Sequence, residues 1–275
     1  MITVRGRASL KKDIKIFKKI RKTGLIETVE IVANRINYPK RGFPRYGVNR
    51  FMKRVVSKIS DNALVLDAGA GSKPYAHFFA NMRYHSCDHP GASEEIYGDK
   101  NNSAHEYFCD LLNIPVKNNQ YDAVVCTQVL EHVPDPGRVL KELSRIIKPG
   151  GKVFLTVPQC FGVHMAPYNY FNFLEHGLRL LAGRADLRVE SLETIGGIFW
   201  LLGKVSNNTS IIIWNKFGRL KLIFSPFYFA FRAFFTVFLF MLFHLDRIDR
   251  GKKWTIGYTC TCVKPHKGRP YAAKS

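Results

Sequence analysis

The stretch Val65-Leu66-Asp67-Ala68-Gly69-Ala70-Gly71-Ser72 decides the reading of this sequence. It is an apolar β-type run that ends in a glycine-rich turn, where missing Cβ atoms let a ligand approach the backbone closely. Pro74 stands where the third glycine of the dinucleotide fingerprint would fall, which argues against NAD or FAD. About twenty residues on, Asp88 closes a second β-type run, where an acidic side chain in this kind of fold accepts hydrogen bonds from both ribose hydroxyls.

Outward from this turn, short β-rich runs alternate with helical stretches, the sign of a parallel sheet with crossover helices. Strands are expected at Ala63–Asp67, Tyr84–Asp88, Glu106–Asp110, Tyr121–Thr127, Lys152–Val157 and Leu187–Thr194, with a last one much later at Ile256–Val263. Upstream, apolar residues from Ile14 to Val32 recur every three to five positions between lysine pairs, which predicts a basic amphipathic helix, or two, over Ser9–Ile36. A Pro-, Gly- and Arg-rich loop over Tyr38–Tyr46 and a helix over Val48–Ile59 then lead into the first strand. The expected organisation is a basic helical region (1–60), an α/β core (61–195), an apolar helical insertion (196–250) and a last core strand with a basic tail (251–275).

The 275 residues suffice for one α/β core with appendages, and 46% hydrophobic residues provide its interior. Lysine and arginine number 42 against 21 acidic residues, a formal charge of +21 that favours polyanions: nucleic acid, anionic lipid headgroups or phosphorylated substrates. The six cysteines show no paired metal-ligand spacing and read as reduced, with Cys260 and Cys262 on one face of the last strand. No metal site is expected. The first thirty residues contain no continuous apolar run of the secretory type, so a cytoplasmic location is expected.

Several runs in order extend the pattern: Leu66 to Gly71, Asp88, Cys109-Asp110-Leu111, Tyr121 to Val125, Val129-Leu130-Glu131-His132-Val133, LKELSRIIKPGG at Leu140–Gly151, and Leu155 to Pro158. Together they resemble the class I S-adenosylmethionine-dependent methyltransferases, particularly the small-molecule group called type 11. The resemblance spans roughly half the chain. It implies a Rossmann-like, seven-stranded, mostly parallel sheet with the last strand antiparallel and helices on both faces. It also implies S-adenosyl-L-methionine as cofactor. Asp67, Gly69 and Gly71 then correspond to the cradle of its methionine portion, with Asp67 fixing the ammonium group. Asp88 corresponds to the ribose acid, Asp110 to the acceptor of the adenine amino group, Leu111 to its backbone and apolar contact, and Gln128 to the lining of the sulfonium end. Asp122 and the Lys148-Pro149-Gly150-Gly151 turn read as structural.

Methyl transfer from a sulfonium is an in-line displacement, so the protein chiefly aligns the nucleophile and excludes water, and supplies a base where the acceptor holds a proton. His164, in the loop after the fifth strand, is the leading candidate for base or acceptor contact, and His132 is the second. The loop resembles a His, Pro-Tyr, Tyr-Phe pattern of type 11 relatives of lipid-linked sugar pathways, but departs from them at Asn169, Asn172 and Leu174.

Leu220–Leu245, LKLIFSPFYFAFRAFFTVFLFMLFHL, is long enough to reach across a bilayer, yet Arg232 and Pro226 oppose a plain span. A single crossing would also separate the last strand from its sheet. Basic residues flank both ends, which suits a helix pair lying in the interface. The expectation is monotopic or peripheral attachment to anionic lipid. The acceptor would then be a lipid, an isoprenoid quinone or a lipid-linked sugar. The alternatives are a buried cap or dimer interface for the apolar stretch, an RNA methyltransferase using the basic surface, and a non-catalytic cofactor-binding scaffold.

Overall fold

A computed structural model describes residues 42–90 and 105–266 of the chain; the amphipathic helix expected over Ser9–Ile36 lies outside them. The chain divides into two units, one formed by Pro44–Leu201 with the segment from Asp249 onward, the other containing Leu202–Ile248.

In the first unit seven strands form one sheet: β1 (Leu64–Ala68), β2 (Arg83–Asp88), β3 (Tyr107–Phe108), β4 (Tyr121–Thr127), β5 (Ile147–Pro158), β6 (Arg188–Thr194) and β7 (Gly257–Val263). Their order is β3-β2-β1-β4-β5-β7-β6. Strands β1 to β5 pair in parallel, and β7 enters antiparallel between β5 and β6. This is the Rossmann-like, seven-stranded architecture that the sequence leads one to expect. The order reverses between β1 and β4, and in such sheets ligands bind at that reversal, outside the carboxyl ends of the strands.

Alternation along the strands builds two cores, because successive side chains point to opposite faces. Leu66, Val124, Cys126, Val153, Leu155, Cys260 and Cys262 bury on one face under α2 (Pro136–Ile146) and α3 (Glu175–Arg184). Helix α2 starts where Asp135 accepts a hydrogen bond from the Arg138 amide at 2.9 Å and Pro136 occupies the first turn. Its Val139, Leu140, Leu143 and Ile146 are buried, each worth about 1.5–3 kcal/mol. On the opposite face Val65, Ala123, Val125 and Phe154 meet Val48, Phe51, Met52 and Val55 of α1 (Gly42–Val56).

Two local expectations change. Helix α1 begins at Gly42, inside the expected loop, since Pro44 falls in the first turn where a missing N–H costs nothing. The Lys148–Gly151 turn lies inside β5 and not before it: Tyr121 pairs with Ile147 and Ala123 with Lys152, so four residues bulge opposite Asp122 alone. Lys148 Nζ holds the bulge to Asp122 Oδ1 at 2.6 Å, and the Gly150 amide donates to the Lys264 carbonyl at 2.8 Å.

The second unit is helical. Helix α4 (Ile198–Lys216) runs into it from the first unit, and after a short turn α5 (Lys221–Leu245) follows as one continuous helix through Pro226. Trp214 stacks on Tyr228 with ring centroids 3.7 Å apart. On α5 Tyr228, Phe235, Leu239 and Leu242 are buried, whereas Ile223, Phe227, Phe231, Phe234, Val237 and Met241 form an exposed stripe at helical spacing. Among the described residues no helix is long and apolar enough to cross a membrane.

Candidate functional site

The turn after β1 takes left-handed conformations at Gly69 (φ 73°) and Gly71 (φ 52°), and a Cβ at Gly69 would meet Val129 Cγ2 at 2.6 Å. Glycine is required there by both backbone and space. The amides of Gly69 and Ala70 both donate to the Cys87 carbonyl, at 2.9 and 3.1 Å, and tie the turn to the end of β2. One residue on, the Gly71 amide donates to Asp88 Oδ2, while Asp88 Oδ1 accepts from the His89 amide at 2.8 Å. The buried Asp88 carboxylate therefore fixes the glycine turn.

Asp67 is 1% exposed. Its Oδ2 accepts from the Tyr84 hydroxyl at 2.8 Å, and its Oδ1 is a buried acceptor with no donor among the described residues. Burial pushes its pKa up to about 6, against the pull of the Tyr84 hydrogen bond. A buried, half-satisfied carboxylate beside a glycine turn fits a cationic ligand group, and the ammonium of a methionine moiety supplies the missing donors.

The remaining cofactor-side residues sit at neighbouring strand ends. The Cys109 amide donates to the Asp88 carbonyl at 2.9 Å, which brings Asp110 and Leu111 beside the end of β2. Asp110 is exposed, with Oδ1 accepting from the Leu112 amide at 2.9 Å, and Leu111 is buried. Gln128 follows β4 in a left-handed conformation (φ 54°), with its amide bonded to the Thr156 carbonyl at 2.9 Å and its side chain donating to Thr156 Oγ1 at 3.2 Å.

The two candidate histidines, 32 positions apart in sequence, meet edge to face with ring centroids 4.8 Å apart. His132 closes a short 3-10 turn, Leu130–His132, and its Nδ1 lies 2.6 Å from the Tyr168 carbonyl. His164 Nδ1 lies 3.0 Å from the Gly162 carbonyl. A carbonyl only accepts, so both rings carry their proton on Nδ1 and present an Nε2 lone pair. Burial, with His164 adding to it, lowers the His132 pKa against the Tyr168 carbonyl, which keeps the ring neutral. Asn169 and Asn172, where the chain departs from its lipid-linked-sugar relatives, hold the loop itself: Asn169 Oδ1 accepts from the His164 amide at 3.3 Å and Asn172 Nδ2 donates to the Phe161 carbonyl at 3.1 Å.

One residue of the site, Tyr84, was not singled out from the sequence. Tyr84 could have been: β1 and β2 pair Val65 with Tyr84, so Tyr84 shares a sheet face with Asp67 two residues along. Glu131 is fully buried, and among the described residues neither carboxylate oxygen has a hydrogen-bond partner. Burial pushes its pKa up to about 8. Nothing in a single sequence announces that enclosure.

Comparison with known proteins bears on the family and the fold. Residues 41–191 match the family described as a methyltransferase domain. The chain is 50% identical over 38 residues to the ubiquinone biosynthesis O-methyltransferase of Aeromonas salmonicida, covering 14% of this chain and 16% of that protein. It is 30% identical over 98 residues to the Mus musculus protein named "Probable tRNA methyltransferase 9B", 34% of this chain and 22% of that one. The matches thus span less than a quarter of these relatives' length. Among solved structures, a chain of the complex between the Haloferax volcanii Trm112 methyltransferase activator and a methyltransferase superposes with a TM-score of 0.52 at 14% identity, over 90% of this chain and all of that one, and shares the fold.

Proposed function

We propose that this chain, which belongs to the class I S-adenosylmethionine-dependent methyltransferases, transfers a methyl group to a membrane-associated small molecule: a lipid, an isoprenoid quinone or a lipid-linked sugar. The cofactor, when bound, supplies an electrophilic methyl on its sulfonium. Asp67 pairs its unpartnered Oδ1 with the ammonium, Asp88 holds the glycine turn and accepts from the ribose, and Asp110 and Leu111 receive the adenine. Gln128 lines the sulfonium end. His132 and His164 present lone pairs on the acceptor side, where an acceptor hydroxyl needs its proton withdrawn.

The observation that carries the membrane reading is the exposed apolar stripe of α5. Phe227 is 74% exposed and Phe234 71%, on a helix whose other face is already buried. Apolar area of this kind marks an interaction surface, and a chain of charge +21 is drawn to anionic lipid at a cytoplasmic membrane face. Between α4 and α5 an apolar cavity of about 560 Å³, lined by Trp214, Phe217, Phe224, Tyr228 and Phe231, has the size and chemistry to receive a prenyl or acyl chain. The short matches to ubiquinone O-methyltransferases support the quinone among the acceptors.

Mass spectrometry of lipid extracts from cells with and without the protein tests this reading. A lipid species lighter by one methyl accumulates in the cells that lack it. If the lipids are unchanged and a methylated nucleoside disappears from RNA digests instead, the acceptor is RNA, a reading that the charge and the match to the tRNA methyltransferase relative favour.

A further inference from the structure

We propose that Glu131, His132 and His164 form a binding site for one divalent transition-metal cation of the zinc class, on the acceptor side of the cofactor cleft. One ligand atom from each of the three lies within 4.8 Å of the others. In a tetrahedral zinc site with bonds of about 2.0–2.1 Å, ligand atoms stand roughly 3.4 Å apart, so the three atoms need to draw together by no more than about 1.4 Å.

Three features of the cluster go beyond proximity. Both imidazoles are oriented in the same way, each giving Nδ1–H to a backbone carbonyl, Tyr168 for His132 and Gly162 for His164. That is the outer-shell arrangement that fixes the tautomer of a metal-ligating histidine and leaves Nε2 as donor atom. Next, both Glu131 oxygens are buried with no hydrogen-bond partner among the described residues, a costly condition that a cation removes. A Glu131–His132 ion pair does not remove it: the separation is 3.9 Å, and Nε2 in this tautomer has no proton to give. Finally, the two halves of the cluster are bound together, since the Glu131 carbonyl accepts from the Tyr170 amide at 2.8 Å, in the loop that carries His164.

Two imidazole nitrogens and one carboxylate select a transition metal over magnesium or calcium, which take all-oxygen sets. Three protein ligands leave a coordination position open. The inference deepens the methyltransferase reading, and rests on it, only in giving that position a use: it receives an oxygen of the acceptor, which makes a hydroxyl- or carbonyl-bearing acceptor the favoured substrate class. With a metal bound the two histidine lone pairs are taken up as ligands; without one they are the lone pairs that face the acceptor proton.

The test is a zinc titration of the full chain, stripped with a chelator and followed by competition with a chromophoric chelator, alongside calorimetry with S-adenosylhomocysteine on the same sample. One zinc per chain is expected, with affinity falling roughly tenfold or more in His164→Ala and His132→Ala. His164 lies on a loop and is only half-buried, so its removal spares the core; Glu131→Gln, which keeps the volume, is the second variant. Protein that binds S-adenosylhomocysteine but no zinc, or that holds zinc equally in wild type and both histidine variants, overturns the metal site and leaves the methyltransferase reading standing. Failure to bind S-adenosylhomocysteine strikes that reading instead, and the zinc result then decides the site by itself.

Discussion

Asp67 shows how one side chain trades stability for binding. Its pKa of about 6 in the folded chain, against 3.8 for an ordinary aspartate, arises first from burial. The folded state therefore holds this proton more tightly than the unfolded one, so stability falls as pH rises from about 4 to about 6 and stays lower above that, by about 3 kcal/mol from this group. Binding of an ammonium group runs the other way, because only the ionised carboxylate pairs with it. Asp67→Asn is accordingly expected to raise the melting temperature of the ligand-free protein at pH 7 while weakening cofactor binding by tenfold or more. Tyr84→Phe removes the one hydroxyl that favours the charged form, and shifts the midpoint of cofactor binding to higher pH. Calorimetry between pH 5 and 8 checks both, and a pH-independent affinity in wild type and Tyr84→Phe alike would remove Asp67 from the ammonium site. At this scale the sequence exposes residues held by a local pattern, such as Asp67 beside its glycines and Asp88 at a strand end. It hides what is created by distance in the chain: the place of Tyr84 beneath Asp67, and the meeting of the two candidate histidines, His164 and His132.

Among the elements, the strands were legible because short β-rich runs stand between turns, and β1, β2, β4, β6 and β7 fall within a residue of expectation at both ends. The misreadings are those where a weak local rule met a stronger tertiary one. Proline and glycine suggested loops at 42–46 and 148–151, yet helix α1 absorbs the proline in its first turn and β7 grips the glycine bulge through Lys264. Likewise α5 continues through Pro226, so the helix pair is α4 with α5 and does not lie inside Leu220–Leu245. Insertion of β7 between β5 and β6 depends on Gly257, which is buried and whose absent Cβ would strike the Val157 carbonyl oxygen and lie 3.1 Å from Pro158 Cα. These atoms are backbone of β5, which cannot swing aside as a flexible side chain would. Gly257→Ala should therefore destabilise the protein by roughly 1–3 kcal/mol, read as a lower urea midpoint, with little change in cofactor affinity below the transition because β4 and β5 stand between β7 and the glycine turn that follows β1. An unchanged midpoint would mean that β7 docks more loosely than its register indicates.

For the molecule as a whole, the question is whether the helical unit and the cofactor-binding unit are separable in function. The first unit closes on itself where the second departs: the Ile198 amide donates to Asp249 Oδ2 at 2.8 Å, so the chain leaves and returns at nearby points. Replacing Leu202–Ile248 with a short Gly/Ser linker should therefore leave S-adenosylhomocysteine affinity within a few-fold of wild type, while flotation with anionic vesicles is lost. Salt separates the two forces that would hold the intact chain. Charge attraction fades as the Debye length contracts from about 8 Å at physiological ionic strength to about 3 Å at 1 M, whereas burial of Ile223, Phe227, Phe234 and Val237 does not. Wild type is thus expected to float at low salt and to keep a substantial fraction bound at 1 M, and Phe227→Ser with Phe234→Ser to lose that salt-resistant fraction first. Should flotation vanish completely at 1 M in wild type, the +21 charge alone holds the membrane, and the aromatic stripe belongs to a protein interface, which a concentration-dependent change in molecular mass would reveal.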